Sequence, residues 1–260
     1  MNYQNIVTEI KNGILYLTIS REKKLNALNK ETLAELAEVI AFVQTSTEVK
    51  CVLLTGAGEK AFVAGADILE FSSYTTDEGE ALARNGHHTV FDAIENSSKP
   101  FLAAINGFAL GGGLELAMAC HIRVAADTAR MGLPEVTLGL IPGYGGTQRL
   151  TQLIGKGRAI EMILSAEMIN AEKAEKMGLV NHVVPLSELI SSSEEILKKI
   201  ILRAPLAVSA AIKAVNAVFC KGVNGYETEI AEFGKLFDNQ DFKEGVSAFL
   251  EKRSPEFKGM

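Results

Sequence analysis

The chain has 260 residues, 47% of them hydrophobic and 22% charged, with a net charge of −6. That length suits one large domain, or a domain with an appendage, burying roughly three-quarters of its unfolded surface; the acidic balance argues against a nucleic-acid or anionic-membrane surface. No stretch reaches the about 18 apolar residues of a membrane span, no secretory signal pattern opens the chain, and Cys51, Cys120 and Cys220 lie far apart in apolar neighbourhoods, so buried thiols and a cytoplasmic location are expected.

Residues 6–10 and 14–19 alternate apolar and polar side chains around Lys11-Asn12-Gly13, the pattern of a β-hairpin with an Asn-Gly turn. Asn29 then caps a helix whose apolar face is Leu33, Leu36, Ile40 and Val43, with Leu28 placed to staple onto Leu33. Residues 51–54 read as a buried strand, and the small-residue turn at 64–67 brings backbone N–H groups within reach of a ligand. A polar helix is expected over 75–97, with Phe91 and Ile94 facing inward. A strand at 101–105 then turns through Asn106-Gly107 and Gly111-Gly112-Gly113 into a helix, and 122–126 is again a strand. Strands alternating with helices predict an α/β fold with crossover units. A Gly/Pro-rich loop at 139–143 leads to helices carrying Arg149 and covering 158–164, Asn170 caps 171–177, and 180–184 closes the strands. Helices alone follow Pro185; the last is expected to start at Asp241, with Glu244 completing a capping box. The chain thus divides into a core of residues 1–195 and a helical subdomain or oligomerisation element, 196–260.

From Phe108 to Cys120 the single charge is Glu115, and between Met131 and Tyr144 it is Glu135. A lone carboxylate in apolar surroundings is paired, protonated or functional; the alternatives are a first-turn partner for a helix dipole in the case of Glu115, and a core-edge residue for either. If the two glycine-rich turns face each other, each supplies a backbone N–H to one carbonyl oxygen, and carboxylates close by move protons, the kit that thioester enolate chemistry needs. Residues 56–61, Gly-Ala-Gly-Glu-Lys-Ala, fit a loose dinucleotide fingerprint, but the phosphate-binding helix does not follow. The four histidines have no carboxylate or cysteine partners at ligand spacing, so no metal site is expected.

Three long segments carry a resemblance: Phe-Val-Ala-Gly-Ala-Asp (62–67), Asn-Gly-Phe-Ala-Leu-Gly-Gly-Gly-Leu-Glu-Leu-Ala (106–117) and Leu-Pro-Glu-Val-Thr-Leu-Gly-Leu-Ile-Pro-Gly-Tyr-Gly-Gly-Thr-Gln-Arg-Leu (133–150). They resemble the signature of the crotonase (enoyl-CoA hydratase) superfamily, and the match continues through 174–180 and 249–253. The resemblance implies a spiral of ββα units with a C-terminal all-helical trimerisation region, and a homohexamer built as a dimer of trimers. It implies that the N–H groups of Ala66 and Gly112 form an oxyanion hole for an acyl-CoA thioester.

Within the family that the chain resembles, glutamates at both positions matching Glu115 and Glu135 are those of the hydratases, so the resemblance implies hydration of a short- to medium-chain 2-trans-enoyl-CoA to a 3-hydroxyacyl-CoA, with 3-hydroxybutyryl-CoA dehydration as the reverse. Glu115 is then the base that takes the water proton and Glu135 the acid that protonates the α-carbon. An enoyl-CoA Δ-isomerase is the alternative within the superfamily, and an RNA-binding or structural relative is the alternative outside enzymes. No metal or redox cofactor is implied, coenzyme A being part of the substrate. Contacts to the acyl-CoA are expected from Lys24, Leu25, Lys60, Ala64, Ala66, Asp67, Ile68, Gly112, Pro134 and Gly143. Leu69 stands where a lysine is common, and Leu114, His121 and Leu133 stand where Cys, Asp and Gln are common. These departures imply tuning of the pocket rather than loss of activity.

Overall fold

The computed structural model describes residues 3–260. Strands β1 (Ile6–Lys11) and β2 (Ile14–Ile19) pair antiparallel, Ile6 opposite Ile19. Asn12 and Gly13, at φ 53° and 80°, make the turn between them, the left-handed pair that matches strand twist in a two-residue hairpin. Helix α1 (Lys30–Thr45) crosses over to β3 (Cys51–Gly56), which lies parallel to β2. Asn29 caps α1 by accepting from the Thr32 N–H at 3.0 Å, and Leu33, Leu36, Ile40 and Val43 are all buried.

From β3 onward the chain winds as a spiral, because each long strand is followed at once by a short one in a second sheet. The pairs are β3 with β4 (Ala61–Val63), β5 (Phe101–Ile105) with β6 (Phe108–Leu110), and β7 (Ile122–Ala126) with β8 (Arg130–Gly132). One sheet has the order β1-β2-β3-β5-β7-β10, the other β4-β6-β8-β9, where β9 is Ile169–Asn170 and β10 is His182–Val184. All pairings are parallel except the first hairpin and β8 with β9. The short strands β6, β8 and β9 escape a periodicity reading because three or fewer residues cannot show a period of two.

Between β4 and β5 run α2 (Thr76–Gly86), a π-helical turn over His87–Phe91 and α3 (Asp92–Glu95). The single helix expected there is therefore interrupted, although Phe91 and Ile94 do point into the core. Helix α4 (Gly112–Ala119) follows β6, buried along its whole length. Helices α5 (Gly146–Ile154), α6 (Lys156–Ser165) and α7 (Ala171–Met177, capped by Asn170) fill the turns before β10.

Helix α8 (Leu189–Ile201) lies on the long sheet, with Leu189 and Leu197 packed among Cys51, Leu53, Leu102 and Val124. The expected division after residue 195 falls inside this helix. Helices α9 (Pro205–Ala217), α10 (Gly225–Leu236) and α11 (Gln240–Glu251) complete the chain. Two expectations need correction here. Asn239, not Asp241, caps α11, accepting from the Phe242 N–H at 2.6 Å. Asp241 sits buried within the first turn and accepts from the Lys258 and Gly259 N–H groups, while Glu244 pairs with Arg253. Cys220 is exposed beyond α9, unlike Cys51 and Cys120, whose burial pushes both thiols up to about 12. Among the described residues no single helix is long and apolar enough to cross a membrane.

Candidate active site

The site lies where the second sheet meets the start of α4. Gly111 precedes the helix at φ 50°, ψ −127°, a conformation that a residue with a side chain rarely adopts. Gly113 has no room for one: a methyl on its Cα would stand 2.0 Å from the Val63 carbonyl oxygen. Helix α4 can therefore start hard against β4, and its first N–H groups, which have no acceptor within the helix, open toward the turn that follows β4. In that turn Leu28 bridges Ala66, through Leu28 N–H to Gly65 O at 2.9 Å and Asp67 N–H to Leu28 O at 2.7 Å. The bridge does not use the Ala66 N–H. A methyl on Gly112 would stand 3.8 Å from the Ala66 nitrogen, so the two expected donors, Ala66 and Gly112, are neighbours in space.

Glu115, in the first turn of α4, is 1% exposed. Its Oε1 accepts from the Tyr144 N–H at 2.8 Å and the Gly146 N–H at 2.7 Å. Gly145, at φ 94°, is the residue before α5, so this carboxylate also sits on the N-terminus of a second helix, where donors and helix dipole both favour negative charge. Burial outweighs them and raises the Glu115 pKa to about 7; the Glu135 charge adds to the rise, whereas the two amides and Arg149 oppose it.

Glu135 enters from the loop after β8, at the start of a 3₁₀ turn over Glu135–Leu138. A methyl on Gly111 would stand 2.9 Å from its Oε1, which puts this carboxyl beside the start of α4. Its Oε2 is buried without a hydrogen-bond partner, and burial raises its pKa as well. Glu115 feels the Glu135 charge and both carboxyls are pushed upward, so the two titrate as a pair.

The remaining expected contacts divide into two groups. Ala64 and Asp67 flank Ala66; the Ala64 N–H donates to Leu25 O at 3.0 Å, tying the 24–25 loop to this turn, and Asp67 is ion-paired with Arg21 at 3.1 Å. Lys24, Leu25, Lys60 and Ile68 are exposed. Pro134 directly precedes Glu135, and a methyl on Gly143 would stand 3.9 Å from Ala83 of α2. Helix α2 thus borders the site through Ala83 and through Gly86, against which the Tyr144 ring packs.

A sequence reading misses three features. His87 and His88 do face a carboxylate, Asp92, at 3.0 and 3.5 Å, because the π turn brings positions four and five residues apart together. Tyr144 is buried, stacks on Phe91 with centroids 4.6 Å apart, and presents its N–H to Glu115. Arg149 is buried behind that turn; its position with Gly146, Leu150 and Ile154 on the inward stripe of α5 is the signal that marks it.

A spiral of mostly parallel strands thus gathers two neighbouring backbone amides and two carboxyls, Glu115 buried and Glu135 half-buried, at the start of α4. The chain belongs to the enoyl-CoA hydratase/isomerase family, whose model matches residues 9–260. Among relatives, the short-chain-enoyl-CoA hydratase of Clostridium acetobutylicum is 46% identical over 257 residues, covering 98% of each chain. The crotonyl-CoA hydratase of Syntrophomonas wolfei is 43% identical over 99% of each chain. The crystal structure of an enoyl-CoA hydratase from Bacillus anthracis superposes with a TM-score of 0.93 at 39% identity, over 99% of this chain and 100% of that one.

Proposed function

We propose that this protein is an enoyl-CoA hydratase, a hydro-lyase that adds water reversibly to short- to medium-chain 2-trans-enoyl-CoA. The observation that carries the reading is the adjacency of the Ala66 and Gly112 amides to two carboxyls whose burial raises both pKa values. The names borne by the Clostridium and Syntrophomonas relatives support the short-chain assignment. In this mechanism the thioester oxygen accepts from Ala66 and Gly112. Ionised Glu115, held by the Tyr144 and Gly146 amides, takes a proton from water as its oxygen bonds to the β-carbon. The electron pair of the double bond moves onto the thioester as an enolate, and protonated Glu135 returns a proton to the α-carbon. The assignment of roles rests on hydrogen bonding: two amides support the anion of Glu115 once it ionises, near pH 7, whereas Glu135 Oε2 has no donor to support one. One oxyanion donor is worth about 2.7–4 kcal/mol in a transition state of this kind.

The acyl-CoA itself brings the coenzyme, and the chemistry calls on no metal or redox group. Lys24, Leu25, Lys60, Ile68, Pro134 and Gly143 are offered as its outer contacts. The helical region 196–260 is offered as the self-association surface of a homohexamer, supported by exposed Val215, Val218, Phe219, Phe233 and Phe249.

The test is crotonyl-CoA in ¹⁸O water, following the conjugated enoyl-thioester absorbance and the mass of the product, then a series of longer chains. Loss of absorbance with one solvent oxygen gained is expected, strongest for the shorter chains. A double-bond shift without oxygen makes the protein an isomerase, and no turnover across the series refutes the reading.

A further inference from the structure

We propose that Arg149 is a positioning residue for Glu115, holding from behind the turn whose amides fix that carboxylate; this rests on the hydratase reading above. The Arg149 guanidinium is buried, and all three of its nitrogens donate. Nη1 donates to the Tyr144 carbonyl at 2.7 Å, Nε and Nη2 donate to Glu95 Oε2 at 3.0 and 2.6 Å, and Nη2 reaches Asp92 Oδ1 at 2.8 Å. Both acids belong to α3, the short helix delivered by the π turn, and Asp92 is shared with His87.

The far side of the same residue carries the consequence. Tyr144 gives its carbonyl to Arg149 and its N–H to Glu115 Oε1. The next residue, Gly145, accepts from the Arg149 backbone N–H at 2.9 Å. Two successive peptides of the turn are therefore held by one arginine, through its side chain and through its main chain. The fork geometry matters, because a planar guanidinium bonds two acids and a carbonyl from three separate nitrogens in fixed directions, whereas an ammonium must do so from one nitrogen on a flexible stem.

A buried ion cluster is seldom the most stable filling for a core, since well-packed apolar side chains often do as well or better. Here two acids meet one arginine, so removing a single acid still leaves the cation paired. The contact that is not duplicated is the one to Tyr144, and it points at the site. Displacing a catalytic group by about 1 Å costs roughly 10²-fold in rate, so loosening this turn should act on turnover and much less on binding. The ionisable groups around the cluster are Glu115, Glu135, Asp92, Glu95, His87 and His88. Arg149 is the nearby cation that favours the ionised form of Glu115.

The experiment compares wild type with Arg149→Lys, Arg149→Met and Glu95→Gln, measuring kcat, KM and the pH dependence of kcat for crotonyl-CoA hydration, with melting temperature alongside. Arg149→Lys, which keeps the charge and loses the fork, should lower kcat roughly 10- to 100-fold while KM changes less than about threefold. Arg149→Met should also move the acid limb of the pH profile upward, and Glu95→Gln should lower kcat in the same direction by less. If Arg149→Met does not fold, the other two variants decide. Folded Arg149→Lys and Glu95→Gln enzymes with wild-type kcat and pH profile overturn the proposal while leaving the hydratase reading intact. A wild type inactive on every enoyl-CoA removes the hydratase reading first.

Discussion

Replacing Glu115 by Gln should stabilise the protein above neutrality while removing its activity. The folded-state pKa of Glu115 stands at about 7 against an ordinary 4.5, mainly through burial. A carboxyl whose folded pKa is raised contributes stability that is fully present below the unfolded value and is lost as pH rises through the folded value. At about 1.4 kcal/mol per pH unit, the displacement from 4.5 to about 7 amounts to about 3 kcal/mol lost between pH 4.5 and 8. Gln has the same shape, can still accept from the Tyr144 and Gly146 amides, and does not ionise. Urea unfolding at a fixed protein concentration should therefore show wild type losing about 2.5 kcal/mol more than Glu115→Gln between pH 5 and 8.5. Parallel pH–stability curves for the two proteins would refute the claim that burial dominates this carboxyl.

Neighbouring glycines of the triplet should separate folding from catalysis. Gly113→Ala meets the Val63 carbonyl at 2.0 Å and should lower stability by about 1–3 kcal/mol in a melting experiment. Gly112→Ala meets nothing nearer than 3.6 Å, yet its methyl lies 3.8 Å from the Ala66 nitrogen; it should melt like wild type and lose roughly 10²-fold in kcat/KM on crotonyl-CoA. His121 accepts from the Phe101 N–H at 2.9 Å and faces the Glu95 carbonyl at 3.2 Å, and burial pushes its pKa down to about 4. A histidine with a depressed folded pKa contributes stability present above its unfolded value, near 6.5, and lost as pH falls toward 4. Melting temperatures from pH 7 to 4.5 should therefore fall less steeply for His121→Asn than for wild type.

Much of the fold is legible in local chemistry. Asn12-Gly13 sets the hairpin, Asn29 and Asn170 cap the helices they precede, and the inward stripe of α1 follows its apolar residues. What escapes a linear reading is made by contacts distant in sequence. Strands β6 and β8 exist because they pair with each other, β6 also with β4 and β8 with β9, not because their few residues favour extension. Asn106, readable as a turn residue, is buried and donates to the carbonyls of Gly56, Gly58 and Ala61, bracing one coil of the spiral on the next. At the site the two isolated acids stand out by type, whereas their surroundings do not. The Tyr144 amide that holds Glu115 is backbone, and the acids that hold Arg149 lie 54 and 57 residues away. Asp241 shows the opposite hazard, since a good capping pattern names it while the fold uses its carboxylate to anchor the C-terminal tail.

The central claim is that Glu115 and Glu135 move the protons of hydration together. It is tested most directly by crotonyl-CoA turnover in Glu115→Gln, Glu135→Gln and the double variant. Each single change should lower kcat by roughly 10²–10⁴-fold with little change in KM, and the double variant should lose far less than the product of the two, because the residues act as a unit. Near-wild-type turnover in either single variant would contradict the account.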